Sequence, residues 1–452
     1  MKMNNEFLGK EPIGKLLFKL SIPTVLAQLI NMLYNLVDRI FIGRMDEVGD
    51  LALTGVGVCL PVIILVSAFA ALVSSGGAPR ASIFMGKKDN VTAEKIMGNC
   101  FFLQIIISII LTIIMLLFNK EILYLFGASQ NTIEYALEYM NIYAVGTIFV
   151  QLTLGMNAYI TAQGFSKVAM ITVIIGAVFN IALDPLLIYG LNMGVKGAAL
   201  ATIISQSVSC IFVLSFLFSK KSILKLKINN FKIDLKLVLP CLALGLAPFI
   251  MQASESIIIV CFNSSLLKYG GDIAVGAMTI LSSVMQFAML PLQGLAQGAQ
   301  PISSYNFGAK NKARVVKTFK LLLIISISYS TILYLLLMLF PNIFVSLFTT
   351  KTELISFTVK VLRIYFAVLL IFGVQTACQM TLVSTGNAKS SIIVAAVRKF
   401  VLLLPLIYLM PLLMEDKTIA VYTAEPVADF IAVSFTAILF YFQFNKSLKT
   451  LE

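Results

Sequence analysis

Hydrophobic residues run along this chain in long stretches, which short polar segments interrupt at regular intervals. Twelve of the stretches reach roughly 20 residues, the length that a helix needs to cross the hydrocarbon core of a bilayer. They cover approximately residues 16–43, 51–75, 92–118, 136–163, 168–190, 197–219, 237–266, 273–300, 315–340, 359–384, 390–414 and 418–444. The pattern predicts an all-α integral membrane protein with twelve transmembrane helices.

Lysine and arginine are concentrated in alternate polar segments. They precede the first stretch and follow the second, and they recur in the central segment, after the eighth stretch and at the carboxyl end. The intervening segments carry acids, among them Asp46, Glu47, Asp272 and Glu353. Because cytoplasmic loops of membrane proteins collect Lys and Arg, we predict a multi-pass protein of the plasma membrane with both termini in the cytoplasm.

The chain repeats itself at an offset of 222 residues. Matched pairs in this register include Asp50 and Asp272, Pro79 and Pro301, Ser82 and Ser304, Gly86 and Gly308, Tyr143 and Tyr365, and Gly164 and Gly386. Each half holds six stretches, an even number, so the halves share one orientation and their pseudo-two-fold axis runs along the membrane normal. We predict an N-lobe over residues 1–222, a basic cytoplasmic linker over 223–236 and a C-lobe over 237–452.

Composition supports this class and excludes others. The chain is 59% hydrophobic and 12% charged, whereas ordinary soluble domains carry about 25% charged residues. Cytoplasmic loops explain the net charge of +13, so we expect a lipid bilayer and no nucleic acid as partner. There is no histidine, the six cysteines lack metal-ligand spacing and no ATP-binding phosphate loop occurs. We therefore expect neither an enzyme nor a cofactor beyond a coupling ion.

Two acids, Asp38 and Asp184, lie inside hydrophobic stretches at matching depth. Each is about six residues from the end of its stretch, or roughly 9 Å at about 1.5 Å per residue. An ionised group in hydrocarbon is costly, so acids inside membrane helices usually serve function. Their shared depth predicts a cation or proton site.

Other oxygen-bearing residues fall near the same depth. Asn180 lies one helical turn before Asp184 and shares its face. Pro185 lacks an N–H, which leaves a helical carbonyl without its partner. Thr202 and Tyr139 enter the sixth and fourth helices at a similar level. Together they form an oxygen-rich environment suited to Na⁺ or a proton; the alternative is a proline kink beside a locally satisfied aspartate.

A polar stripe marks the first helix. Gln28, Asn31, Asn35 and Asp38 recur at steps of three and four residues, with Tyr34 beside them. This spacing places them on one face of an otherwise apolar helix. The stripe predicts a lined cavity, and the alternative is a set of hydrogen bonds between packed membrane helices.

The second half offers a different acid. Glu255 lies near the middle of the seventh helix, and Gln286, Gln375 and Gln379 could line a cavity around it. No acidic partner is evident, so we expect a lone carboxyl that meets the cationic group of a substrate. We expect Arg398 and Lys399 to snorkel toward the membrane surface or to pair with carbonyls and lipid. Glu425 and Asp429, which flank Pro426, have no assigned role.

Several segments resemble the multidrug and toxic compound extrusion (MATE) family, in particular its bacterial MepA- and DinF-like members. They are SIPTVLAQLINMLYNLVDRIFIGR, NIALDPLLIYG, SSGGAPRASIFMGKKD and GAQPISSYNFGAKNKARV. The resemblance covers essentially the whole chain. It implies a cation site at Asp38, Asn180, Asp184 and Thr202, with Tyr139 adjoining and Na⁺ as one candidate ion. It further implies a drug cavity lined by Asn31, Tyr34 and Asn157, and a hinge at Pro23.

The resemblance also implies an activity. We expect a secondary antiporter, acting as a monomer, that exports amphipathic or cationic compounds in exchange for Na⁺ or H⁺ by alternating access. Some family members pair a glutamate of the seventh helix with an aspartate of the tenth; here Glu255 fits the first position and Gln375 lies near the second. The alternative function is a flippase for lipid-linked saccharides, which shares the two-lobe plan. The choice between Na⁺ and H⁺ stays open, because both ions use the same oxygens.

Overall fold

The computed structural model describes residues 6–45 and 49–452, and within them every regular element is a helix. The acids Asp46 and Glu47 of the first predicted outer loop lie outside the described residues. The helices of the first half are α1 (Ile13–Gly43), α2 (Gly49–Gly86), α3 (Asn90–Leu125), α4 (Ile133–Ala162), α5 (Ser166–Pro185, continued by a π-helical segment Leu186–Gly190) and α6 (Gly194–Phe218).

The second half begins with one continuous stretch of helix. Leu235–Gly308 is interrupted at Gly271, whose φ of 65° and ψ of −161° are not helical, so it holds two spans, α7 and α8. Then come α9 (Lys312–Leu339), α10 (Thr352–Tyr365 and Leu369–Ser384, bent by 46°), α11 (Ala388–Leu413, with a π-helical segment Val397–Leu403) and α12 (Lys417–Lys449). Short helices lie at Phe7–Lys10, Ile228–Asn230 and Pro341–Ser346.

Twelve spans result from this division. Ten helices among the described residues are long and apolar enough to cross a membrane. Counting the interrupted stretch as two and the bent pair as one further span gives the predicted twelve. All twelve predicted stretches coincide with these helices, with ends that differ by several residues.

The backbone repeats itself at the predicted offset. The Ser82 hydroxyl donates to the carbonyl of Ala162 at 2.7 Å, and the Ser304 hydroxyl donates to the carbonyl of Ser384 at 2.9 Å. Both members of each bond are 222 residues from their counterparts. The same inter-helix hydrogen bond thus holds each lobe together.

The turns after α2 and α8 repeat as well. Lys88 and Lys310, which follow these helices, both have positive φ, of 62° and 55°. The next residues, Asp89 and Asn311, accept a hydrogen bond from the backbone at the start of α3 and α9. The bond from Thr92 holds the pKa of the Asp89 carboxyl below its usual range. These caps satisfy backbone N–H groups that a helix end otherwise leaves open.

The lobes meet at the end of the molecule that carries the basic segments, which we call the basic face. A methyl group added at Gly76 of α2 would lie 1.9 Å from the carbonyl oxygen of Cys241 in α7, and one at Gly298 of α8 would lie 2.4 Å from the hydroxyl of Ser21 in α1. These glycines, again 222 residues apart, permit backbones to approach closely across the lobe boundary.

Hydrogen bonds reinforce this contact about halfway along α1. The Thr24 hydroxyl donates to the carbonyl of Gly294 at 2.6 Å, and the Gln28 amide donates to the Gln297 side chain at 3.1 Å. Gln28 therefore joins the lobes, so this end of the polar stripe on α1 acts in helix packing, the alternative considered for it.

The connection between the lobes is fastened to the first of them. The Gln163 side-chain oxygen accepts hydrogen bonds from the backbone of Ile223 and Leu224, both at 2.8 Å. Glu94 accepts from the backbone of Lys225 at 3.0 Å, and Asn99 accepts from that of Asp234 at 2.6 Å. The linker is thus held along its length by buried polar side chains of α3 and α4.

The cysteines are all free thiols, and five of the six are buried while Cys261 is partly exposed. This agrees with the absence of a disulfide framework expected from their spacing.

Candidate functional site

The N-lobe site is built around α5. Asn180 and Asp184 lie one turn apart and are both buried. The Asn180 amide donates to Asp184 Oδ1 at 3.3 Å and lies 3.5 Å from the hydroxyl oxygen of Thr202 on α6. One amide therefore links the carboxylate of α5 to the hydroxyl of α6.

Two further helices complete this cluster. Asp38 of α1 is 9% exposed, and its charge acts on both Asp184 and Tyr139. The Tyr139 hydroxyl, on α4, is in hydrogen-bonding contact with Thr202. The structure thus brings together the five residues that the sequence placed at one depth, and four helices contribute them.

Three oxygens of this cluster lack a hydrogen-bond donor. Among the described residues, Asp38 Oδ1, Asp184 Oδ2 and Asn180 Oδ1 are buried and have no partner. A buried acceptor without a donor is costly, and a bound cation or an added proton removes that cost. Hard cations take oxygen ligands, so two carboxylates, an amide oxygen and a hydroxyl fit Na⁺; a proton shared between the carboxylates fits as well.

A local change of helix type follows Asp184. The α-helix ends at Pro185 and continues as the π-helical segment Leu186–Gly190. Proline removes a backbone donor, and π-helical segments occur frequently at functional sites. The Tyr189 hydroxyl donates to the carbonyl of Phe41 at 2.5 Å, which ties this segment to the end of α1. Asp184 and Asp38 are therefore held on two mutually connected helix ends.

The predicted cavity residues divide into two groups. Tyr34 lies within electrostatic reach of Asp38 and is in hydrogen-bonding contact with Gln206, and Asn31 lies one turn before Asn35 on α1 and accepts a hydrogen bond from it through its carbonyl. Asn157 is 18 residues beyond Tyr139 on α4, about 27 Å along the helix at ~1.5 Å per residue. Its amide donates to the carbonyl of Ala169 at 3.2 Å.

The bond made by Asn157 has a counterpart in the other lobe. Gln379 donates to the carbonyl of Ser391 at 3.3 Å, and both residues are 222 positions from Asn157 and Ala169. The structure thus gives Asn157 a repeated packing contact between neighbouring helices, remote from the cation cluster.

The C-lobe contains a second group of charges. Lys399 Nζ lies 2.6 Å from Glu255 Oε1. Arg398 donates to Asp429 at 2.8 Å and lies 3.7 Å from Glu425. The side chains of Arg398, Lys399, Asp429 and Glu425 are all at most 8% exposed, whereas that of Glu255 is 47% exposed. We call these five residues the C-lobe charge cluster.

Two expectations about this lobe are wrong. Arg398 and Lys399 do not snorkel; they are buried and pair with acids of α7 and α12. Glu255 is not a lone carboxyl, because Lys399 is its partner. The reason is the π-helical segment Val397–Leu403, within which the two cations lie. Sequence spacing does not reveal such a segment or the packing of α11 against α7 and α12.

The glutamines assigned to this lobe differ in their surroundings. Gln375 is 3% exposed, and neither its amide nitrogen nor its oxygen has a hydrogen-bond partner among the described residues. Gln286 is exposed on α8. Arg398 lies over the ring of Phe372, one turn before Gln375, at 4.7 Å from its centroid. Gln375 is therefore near the charge cluster along α10, while no contact links Gln286 to it in the described part of the chain.

Comparison with known proteins identifies the family. A family model described as MatE matches residues 23–186 and 247–409, more than half of the chain and both lobes. The chain belongs to the MatE family. It is 26% identical over 390 residues to the multidrug export protein MepA of Staphylococcus haemolyticus, covering 86% of this chain and 85% of that one. It is 24% identical over 404 residues to MepA of Staphylococcus aureus, covering 89% and 88%.

Solved structures of MATE transporters share the fold. One in a bent conformation has a TM-score of 0.93 at 22% identity and covers both chains fully. An outward-facing multidrug resistance transporter has a TM-score of 0.91 at 22% identity over 100% and 99% of the chains. A transporter of Pyrococcus furiosus, described as having a binding pocket of reversed polarity, matches equally well. The protein is thus a multi-pass membrane transporter with twelve helices in two lobes.

Proposed function

We propose that this MatE protein is a secondary antiporter that exports amphipathic cationic compounds in exchange for Na⁺ or H⁺. The observation that carries the proposal is the N-lobe cluster, where three buried oxygens of Asp38, Asp184 and Asn180 lack a donor. Such a cluster gains a cation or proton at low cost and releases it when the surroundings change. The printed name of the MepA relatives, multidrug export protein, supports the substrate class.

Coupling requires that ion and substrate favour different states of the transporter. A ligand shifts a two-state equilibrium only through its differential affinity for the states. Inward return of one charge down 100 mV supplies about 2.3 kcal/mol. That sustains a gradient of roughly 50-fold for a neutral substrate, since about 1.4 kcal/mol is tenfold.

The lobe contacts support alternating access. We take the basic face as cytoplasmic, in the plasma membrane. The lobes then touch at their cytoplasmic ends, through Gly76, Gly298 and the Gln28–Gln297 bond, and the cation cluster lies toward the outer end. Pro23 and Pro185 are the proposed hinges, and one chain forms the complete transporter.

A cross-link tests this motion. Cysteines placed at Ser21 and Gly298, in a chain whose six native cysteines are replaced, should form a disulfide that stops export until a reductant is added. Unimpaired export by the fully cross-linked protein would contradict opening at the cytoplasmic end.

Transport in vesicles tests the function itself. Purified protein in proteoliposomes should move ethidium against its gradient when Na⁺ or H⁺ gradients are imposed separately, and the gradient that drives movement identifies the coupling ion. Protein-free vesicles and vesicles carrying Asp38→Asn are the controls. Equal ethidium movement with neither gradient would overturn antiport.

The flippase alternative is less well supported. A lipid pyrophosphate needs unneutralised cations inside the lobes, but acids accompany the buried cations Arg398 and Lys399.

A further inference from the structure

The C-lobe charge cluster holds three carboxylates and two cations. With every group ionised, its net charge is −1. The pair of Glu255 and Lys399 is balanced, and so is Arg398 with Asp429, which leaves Glu425 without a cation of its own. Glu425 is 3.7 Å from Arg398, beyond hydrogen-bond distance, and the charge of Lys399 also acts on it.

Exposure within the cluster is uneven. Lys399 and Arg398 are buried, but the Glu255 side chain is 47% exposed. A ligand can therefore reach the carboxylate of Glu255 from outside the packed lobe. The Lys399 ammonium is held there from the opposite side, by a flexible four-carbon stem.

We propose that Lys399 is a tethered cation that occupies Glu255 between transport cycles, and that an organic monocation displaces it. The released ammonium then turns to Glu425, which lies within its electrostatic reach. The cluster becomes neutral when it contains three carboxylates, two internal cations and one substrate cation. This inference rests on the proposed function and names the class of compound that the C-lobe takes, a compound with one positive charge.

The arrangement differs from ion exchange in the N-lobe. There the carboxylates have no internal cation and must take one from solution. In the C-lobe the chain supplies its own competitor, so substrate affinity is set by how firmly Lys399 holds Glu255. A ligand whose site is available for only a fraction of the time binds with an affinity reduced by that fraction.

Ethidium binding to the purified protein, at fixed pH and without Na⁺, tests the proposal. The measurements use an Asp38→Asn background to remove ion competition in the N-lobe. Lys399→Met, which keeps length and loses charge, should tighten ethidium binding about tenfold, the factor expected if Lys399 holds Glu255 about nine-tenths of the time. Adding Glu255→Gln should abolish the gain. Lys389→Met, an exposed lysine on the same helix, should change nothing.

Lys399→Arg provides the second arm. Arginine keeps the charge and engages both oxygens of a carboxylate, so it should hold Glu255 more firmly and weaken ethidium binding several-fold. Opposite effects of Met and Arg distinguish a competitor from a structural ion pair, whose loss or distortion would weaken binding in both variants. If Lys399→Met does not fold, unchanged or tighter binding by Lys399→Arg overturns the proposal.

The outcome separates the two levels of inference. If the Asp38→Asn protein with Lys399 intact does not bind ethidium at all, the proposed cationic substrate class fails. If it binds ethidium and Lys399→Met leaves the affinity unchanged, the tethered cation alone is wrong.

Discussion

The two lobes share a backbone and differ in how they treat buried acids. In the N-lobe, Asp38 and Asp184 have no ion-pair partner among the described residues, and each leaves one oxygen without a donor. In the C-lobe, Glu255 and Asp429 each pair with a buried cation. Unpaired acids suit a ligand from solution, whereas paired acids are already satisfied.

Position by position, the repeat shows where the lobes diverge. The bonds of Ser82 and Ser304 recur at the same offset. Arg398 and Lys399, however, stand where the N-lobe has Gly176 and Ala177. The repeated plan therefore fixes helix packing, while a few substitutions at equivalent places determine the charge of each lobe.

The largest expected effect is on the N-lobe acids. Asp38→Asn and Asp184→Asn should each reduce coupled export by at least about 100-fold, roughly 2.7 kcal/mol, because an amide cannot take up a proton and binds a cation weakly. Ethidium export from proteoliposomes measures this. Asp50→Asn, at an exposed acid near the start of α2, is the control. Wild-type export by either variant would move the ion site elsewhere.

The C-lobe should respond in stability. Arg398→Met removes the cation that accompanies Asp429 and Glu425, and breaking a buried ion pair from one side costs about 3–5 kcal/mol. Thermal unfolding in detergent should show a marked decrease in Tm. Asp38→Asn should leave Tm unchanged or raise it, because it removes an unpaired buried charge. Equal losses in both lobes would contradict the contrast between them.

A smaller effect is expected at Glu255. Glu255→Gln should weaken export of permanent cations about tenfold, roughly 1.4 kcal/mol, and spare ion binding measured without drug. Transport of a quaternary ammonium dye and Na⁺ binding by calorimetry provide the two readings. Lost ion binding with intact drug affinity would place the coupling site in the C-lobe.

The smallest effect sharpens the shared part of the comparison. Ser82→Ala and Ser304→Ala each delete one member of the repeated hydrogen bond, and each should cost about 1 kcal/mol of stability. Denaturation in detergent measures both. A difference between them larger than this value would show that the two lobes do not pack alike.

The sequence contains much of the fold because membrane helices must satisfy their own backbone hydrogen bonds and exceed a minimum length. The cation cluster was also predictable, since acids such as Asp38 and Asp184 are rare in hydrocarbon and their depth can be counted. The partners of Glu255 were not predictable. They depend on which face Arg398 and Lys399 present, and a π-helical segment changes that face without a signature in the spacing. The offset of 222 offered one signal, two cations opposite two small residues.

The clamped linker determines where the molecule can pivot. Side chains of α3 and α4 hold the linker as far as the backbone N–H of Asp234, and α7 begins at the next residue. The linker therefore travels with the N-lobe as a rigid part of it, and relative rotation concentrates at one junction. Its range is then set by a hinge of a few bonds and is independent of linker length.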